Sequence, residues 1–189
     1  MSWTGSRKEF IEKFGPYIQK VTKGTGIYPG TLISQAIVES SGKVNGSFKV
    51  GGSKLSREAN NFFGIKAGSS WKGSVYTIRT REVINGQEKY IKANFRKYPT
   101  VEQSILDYVL FLKGNPRYTK YGVFQAKNVP DQFKALKAAG YATGTSYVDL
   151  LNSVYKSIQA DVATIPDKTN RSNIPAIAAA GLLLYLISQ

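Results

Sequence analysis

A chain of 189 residues, 42% of them hydrophobic, is long enough for one domain with a real core plus a small appendage, and too apolar for wholesale disorder. It contains neither Cys nor His, which excludes disulfides, thiol chemistry, a Ser-His-Asp triad and a His-rich zinc site, and leaves acid–base work to Asp, Glu, Tyr or Lys. Lys and Arg outnumber Asp and Glu by 26 to 12, a net charge of +14 spread without a long run, so the expected partner is a polyanion: nucleic acid, anionic lipid or the acidic bacterial wall.

The N-terminus lacks the apolar stretch of a secretory signal. Ser6 and Glu9 then form an S-x-x-E capping box, behind which Phe10, Ile11, Phe14 and Ile18 recur at helical spacing. Pro16 is expected to kink or split this helix. A second helix is predicted from near Pro29 to a left-handed stop at Gly42, followed by a polar, Gly-rich loop. Asn85-Gly86 is the strongest kind of two-residue hairpin signal. Folding about it pairs Ile84 with Gln87, Glu82 with Lys89, Thr80 with Ile91, Ile78 with Ala93 and Tyr76 with Phe95. One face then carries Tyr76, Ile78, Ile84, Ile91 and Phe95, and the other Arg79, Arg81, Tyr90, Lys92 and Asn94. A second capping box, Thr100 and Gln103, leads into a helix with Ile105, Leu106, Val109, Leu110 and Leu112 inward. A short helix runs from about Pro130 to Gly140, and another from Ser146 to Ile158. The sum is an α+β fold, mostly α, without internal repeats.

Two acids sit on the apolar sides of their elements. Glu39 falls on the same side of its helix as Leu32, Gln35 and Ala36, in the last turn, where the dipole presents its negative end. Desolvation and the dipole both disfavour the charged form, so its pKa should rise, as a general acid requires. The competing reading is that Glu39 points outward or pairs with a Lys. Glu82 shares the apolar face of the hairpin, and a plain ion pair with Lys89 competes there. Taken together, the two carboxylates suit glycosidic bond cleavage, in which one protonates the leaving oxygen and the other supports water or the developing positive charge.

The stretch "SQAIVESSG" resembles the Q-x-x-x-E-S/T signature of the bacterial and phage glucosaminidases, glycoside hydrolase family 73. "NNFFGIK" at 60–66, "WKGSVYTIRTREVINGQEKYIKANFRKYPT" at 71–100, "NPRYTKYG" from Asn115 and "GYAT" from Gly140 are similar to further blocks of that family. The resemblance implies a lysozyme-like helical domain with a β-hairpin lobe as one wall of a groove, and cleavage of peptidoglycan after N-acetylglucosamine. It implies Glu39 as general acid, Glu82 as second acid, and Tyr118, Tyr141 and Tyr147 as groove tyrosines that take part in catalysis. Gly144-Thr145 stands where the family usually has D-P, a departure that bears on Tyr147. Gln35, Asn61, Phe62 and Trp71 are the expected substrate-binding residues. Trp71, Phe62, Phe63 and Tyr118 are candidates to stack on sugar rings, with a core role competing for Phe62 and Phe63 and a turn role for Asn61. Either Glu82 activates water, or the substrate's own acetamido group attacks the anomeric carbon. No metal or other cofactor is expected, and no nucleic acid. The alternatives are a muramidase or lytic transglycosylase, or a non-catalytic wall-binding module.

Residues 1–163 are expected to form the catalytic domain, 164–173 a linker and 174–189 an uncharged apolar tail helix. The strongly apolar run from Ile174 to Ile187 would span about 21 Å as a helix, short of a bilayer core of about 30 Å. Membrane contact through the tail, helped by Lys168 and Arg171, is the expectation, and with the missing signal it suggests a phage lysin or virion-associated enzyme acting at the bacterial cell wall.

Overall fold

The computed structural model describes residues 2–84 and 87–166, with the side chains of 80–84, 88 and 89 outside that description. Helix α1, Arg7–Thr22, starts at the expected box: the Ser6 hydroxyl accepts from Glu9 N at 3.2 Å, and Ser6 N donates to the Glu9 carboxylate at 2.6 Å. Pro16 does not split it. Phe10, Ile11, Phe14 and Ile18 are buried on both sides of the missing hydrogen bond, and that packing carries the helix through.

Helix α2, Pro29–Ser40, is the buried centre of the molecule, packed mainly against the last helix and α1. It does not end on a left-handed Gly42. Ser41 caps it in an extended conformation, and Gly42 opens strand β1, Gly42–Val44. A side chain at Gly42 would meet the Gly52 backbone at 2.6 Å, so glycine is needed there for close approach rather than for handedness. The supposed loop folds. Strand β2, Ser47–Lys49, pairs with β1 about Asn45-Gly46, both at positive φ (49° and 79°), and α3, Lys54–Ala59, follows under a Ser53 cap.

Strands β3, Val75–Ile84, and β4, Gln87–Arg96, pair in the expected register, from Ile84 opposite Gln87 to Tyr76 opposite Phe95. Ala93 and Phe95 are 8% exposed but Ile91 is 36% exposed, so the helical body covers only the base of this hairpin. The base is latched by Asn61. Its side-chain nitrogen donates to Ile65 O at 2.9 Å and Arg96 O at 2.8 Å, while its oxygen accepts from Ile65 N at 3.1 Å and Phe63 N at 3.4 Å. Arg96 N in turn donates to Ile65 O, and Ala67 N to Asn94 O. Residues 65–67 therefore lie beside β4, antiparallel to it through a single bridge of Lys66 with Phe95.

Helix α4, Val101–Gly114, has half of its expected box: Thr100 accepts from Gln103 N at 3.2 Å, without the return bond. Its buried stripe is Val101, Ile105, Tyr108, Val109 and Leu112, whereas Leu106 and Leu110 stay partly exposed. Helix α5, Pro116–Lys120, and a 3-10 turn at Val123–Gln125 lead to α6, Val129–Ala138, which ends at Gly140 with φ of 76°. Helix α7, Tyr147–Ala163, packs on α2. Ile165, assigned by composition to the linker, is buried in the core and touches the Gly15 position of α1. The tail at 174–189 lies outside the described residues. Among the described residues, no helix is long and apolar enough to cross a membrane.

Candidate active site

Glu39 stands one residue from the end of α2. Leu32, Gln35 and Ala36 on its side of the helix have no exposed surface, so its side chain leaves the helix at the edge of the core. It is half-buried. Burial disfavours the carboxylate and pushes the pKa above the ordinary glutamate value, and a hydrogen bond from Tyr147, which favours the carboxylate, offsets only part of that.

The bond from the Tyr147 hydroxyl reaches Glu39 Oε1 at 3.1 Å. Tyr147 opens α7 just after Gly144-Thr145, where the Lys137 ammonium donates to the Thr143 and Gly144 carbonyls. Behind it, Gln35 Nε2 donates to the Tyr147 hydroxyl at 3.1 Å, and the Tyr108 hydroxyl donates to Gln35 Oε1 at 2.7 Å. Tyr141 stacks on Tyr147 with ring centroids 6.0 Å apart and donates to Phe63 O at 2.8 Å. Phe63 lies flat on Tyr108 at 4.1 Å. Burial raises the pKa of Tyr108, Tyr141 and Tyr147, so all three remain neutral donors.

In front of the acid is a cleft of about 350 Å³, bounded by Glu39, Phe63, Gly64, Lys66, Phe111, Arg117, Tyr118 and Tyr141 among others. Glu39 Oε2 faces Gly64, where φ is 65° and a side chain would first meet that oxygen, at 4.0 Å. Glycine at this turn gives the left-handed backbone and keeps the space before the acid clear. Tyr118 borders the cleft but has no exposed surface, and its hydroxyl accepts from Arg117 Nη2 at 2.7 Å. It therefore supports Arg117 rather than offering a face to a sugar.

Three expected substrate contacts are interior. Gln35 and Phe62 are 0% exposed and Asn61 is 1% exposed. Gln35 is engaged with the two tyrosines, Asn61 with the backbone latch, and Phe62 packs on Phe10 at 6.0 Å, so none presents surface to a ligand. Trp71 lines a different depression of about 410 Å³ with Tyr98, Pro99, Leu106 and Leu110. The Arg96 guanidinium lies 4.6 Å from the Trp71 ring, which lines this depression, and 5.8 Å from the Phe111 ring, which lines the cleft before Glu39. Asp107, the acid of that second depression, is taken up by Arg96 at 2.8 and 2.9 Å and by the Tyr98 hydroxyl at 2.7 Å. The Glu82 side chain is outside the described set; its backbone lies opposite Lys89. Tyr108, Phe111, Arg117 and Lys66 were not singled out from sequence. Spacing of 101, 105, 108 and 112 would have placed Tyr108 inward, but nothing local marks the others.

A sequence profile of the glucosaminidase family, described as mannosyl-glycoprotein endo-β-N-acetylglucosaminidase, matches residues 15–160. The chain is 32% identical over 157 residues to the peptidoglycan hydrolase FlgJ of Salmonella typhimurium, covering 83% of this chain and 48% of that protein. It is 34% identical over 155 residues to the exo-glucosaminidase LytG of Bacillus subtilis, covering 80% of this chain and 51% of LytG. The chain thus spans about half the length of these curated relatives. The catalytic domain of the autolysin Auto from Listeria monocytogenes superposes with a TM-score of 0.67 at 27% identity, covering 88% of this chain and 91% of that one.

Proposed function

The chain belongs to the glucosaminidase family of glycoside hydrolases, and on that premise we propose that it cleaves the β-1,4 bond after N-acetylglucosamine in peptidoglycan, with Glu39 as the proton donor. The reading rests on one observation above the rest: a half-buried carboxyl, its pKa raised by burial, borders a cleft with one oxygen held by Tyr147 and the other facing open space. A carboxyl that stays protonated while its neighbours are neutral phenols can pass its proton to the leaving glycosidic oxygen. The relatives named as peptidoglycan hydrolase and exo-glucosaminidase support the substrate class.

Charge supports it too. The chain carries +14, and Lys66 and Arg117 border the cleft, which draws an anionic wall polymer to the acid. After the proton is passed, the sugar carbon takes either water or the substrate's own acetamido oxygen. Glu82, on the hairpin, is the second acid of this proposal. An inverting water route requires a second carboxylate about 6.5–9.5 Å from the acid. The cell wall is the proposed place of action.

The test is the chemistry of the ends released. Digestion of purified peptidoglycan, followed by reduction and analysis of the new termini, is expected to yield N-acetylglucosamine reducing ends. Muramic acid ends would transfer the reading to a muramidase, anhydromuramic ends to a lytic transglycosylase, and no release at all to a wall-binding module.

A further inference from the structure

Behind Glu39 a single file of hydrogen bonds crosses three helices. It runs from Tyr108 on α4 to Gln35 on α2 (2.7 Å), from Gln35 to Tyr147 on α7 (3.1 Å), and from Tyr147 back to Glu39 on α2 (3.1 Å). The sense of each bond follows from what each atom can do. An amide oxygen accepts only, and an amide nitrogen donates only. With the Tyr108 proton on Gln35 Oε1, the amide is fixed with its nitrogen toward Tyr147. A phenol oxygen that accepts from that nitrogen keeps its own proton for another acceptor, and the acceptor in reach is Glu39 Oε1. Tyr108 and Gln35 are both 0% exposed, so water does not compete for these positions. With the amide turned over, its oxygen would face Tyr147 and take the phenol proton away from Glu39.

Resting on the reading of Glu39 as the acid, we infer that Gln35 is a positioning residue: locked by Tyr108, it compels Tyr147 to donate to Glu39 Oε1 and so leaves Oε2, the oxygen facing Gly64, to carry the proton that is delivered. The same file stabilises the carboxylate that remains after delivery, against the burial that opposes it. Gln35 touches no substrate and acts only through Tyr147. Among the described residues, the other titratable or charged groups around Glu39 are Tyr141 behind it and Lys66, Arg117 and Tyr118 around the cleft. A change at Gln35 leaves all four in place, whereas Tyr108 also packs on Tyr141, with ring centroids 5.7 Å apart.

Two variants test this on purified peptidoglycan, each with kcat, KM, a pH–rate profile and a thermal unfolding curve. Gln35→Met keeps the length of the side chain and removes both amide contacts. It is expected to lower kcat about tenfold or more at an unchanged KM. It should also move the basic limb of the profile upward, because a Tyr147 no longer compelled to donate can accept from the neutral acid instead, which favours the protonated form. Tyr108→Phe removes the lock, along with the hydroxyl that stands beside Tyr141, and is expected to shift both readouts in the same directions by less. A folded Gln35→Met with the parent's kcat, or a slower one whose basic limb does not move, overturns the inference. If Gln35→Met does not fold, Tyr108→Phe decides by the same criteria. Failure of the underlying reading shows separately, as parent and Glu39→Gln releasing ends at equal rates.

Discussion

Glu39→Gln is expected to lower the rate of reducing-end release from peptidoglycan by about a thousandfold while leaving substrate binding intact. The amide keeps the shape of the acid and still accepts from Tyr147, so the loss isolates the proton. The same substitution is expected to stabilise the fold. The folded-state pKa of Glu39 lies above its ordinary value of 4.5, so between the two the folded chain binds more protons than the unfolded one. Parent stability therefore falls as pH rises through that window, and the loss is complete above the folded pKa. Glutamine does not ionise. The unfolding temperature of the variant should exceed the parent's at neutral pH, and the gap should close as pH drops below 4.5. A variant that is inactive and also less stable at neutral pH would point to damaged packing instead.

Asn61→Ala is expected to be the most costly change away from the acid. One buried side chain meets four backbone partners, Phe63 N, Ile65 N, Ile65 O and Arg96 O, and so ties the turn before Glu39 to the base of the hairpin. Stranding buried backbone groups costs about 1–3 kcal/mol each, so a loss of about 3 kcal/mol or more in a urea titration is the expected result. Activity should drop in the surviving folded fraction as well, since Gly64 and the hairpin lose their fixed relation to the cleft. A loss below about 0.5 kcal/mol, the size of an ordinary surface substitution, would show that the latch is held by something else.

The hairpin was legible because alternation and a two-residue turn together fix which residues face each other, and a slip by one would have turned Phe95 and Ala93 outward. The first hairpin carried the same Asn-Gly signal at 45–46, but its strands are three residues each, too short for alternation to declare itself. Glu39 could be placed because helical spacing put it beside Leu32, Gln35 and Ala36. That spacing also put Gln35 inside, whereas its position in the family signature suggested a contact with substrate. Asn61 and Phe62 misled in the same way. A motif records that a residue type is needed, and a buried latch and a sugar contact leave the same trace in sequence. Trp71 is a candidate to stack on a sugar ring, but it lines the depression beside Tyr98 and Pro99 and not the one before Glu39, a tertiary fact with no local signature. Tyr108 and Arg117 were missed for a related reason: each matters through a partner distant in sequence or through the shape of the cleft.

The most direct check is the titration of the Glu39 carboxyl by carbon-13 NMR on protein labelled at glutamate side chains, with the resonance assigned by its absence from Glu39→Gln. A midpoint clearly above 4.5, tracking the basic limb of the hydrolysis profile, is the expected result. A midpoint at or below 4.5 would mean that this carboxyl is already ionised where the enzyme must hold a proton, and the assignment of Glu39 as the donor would be contradicted.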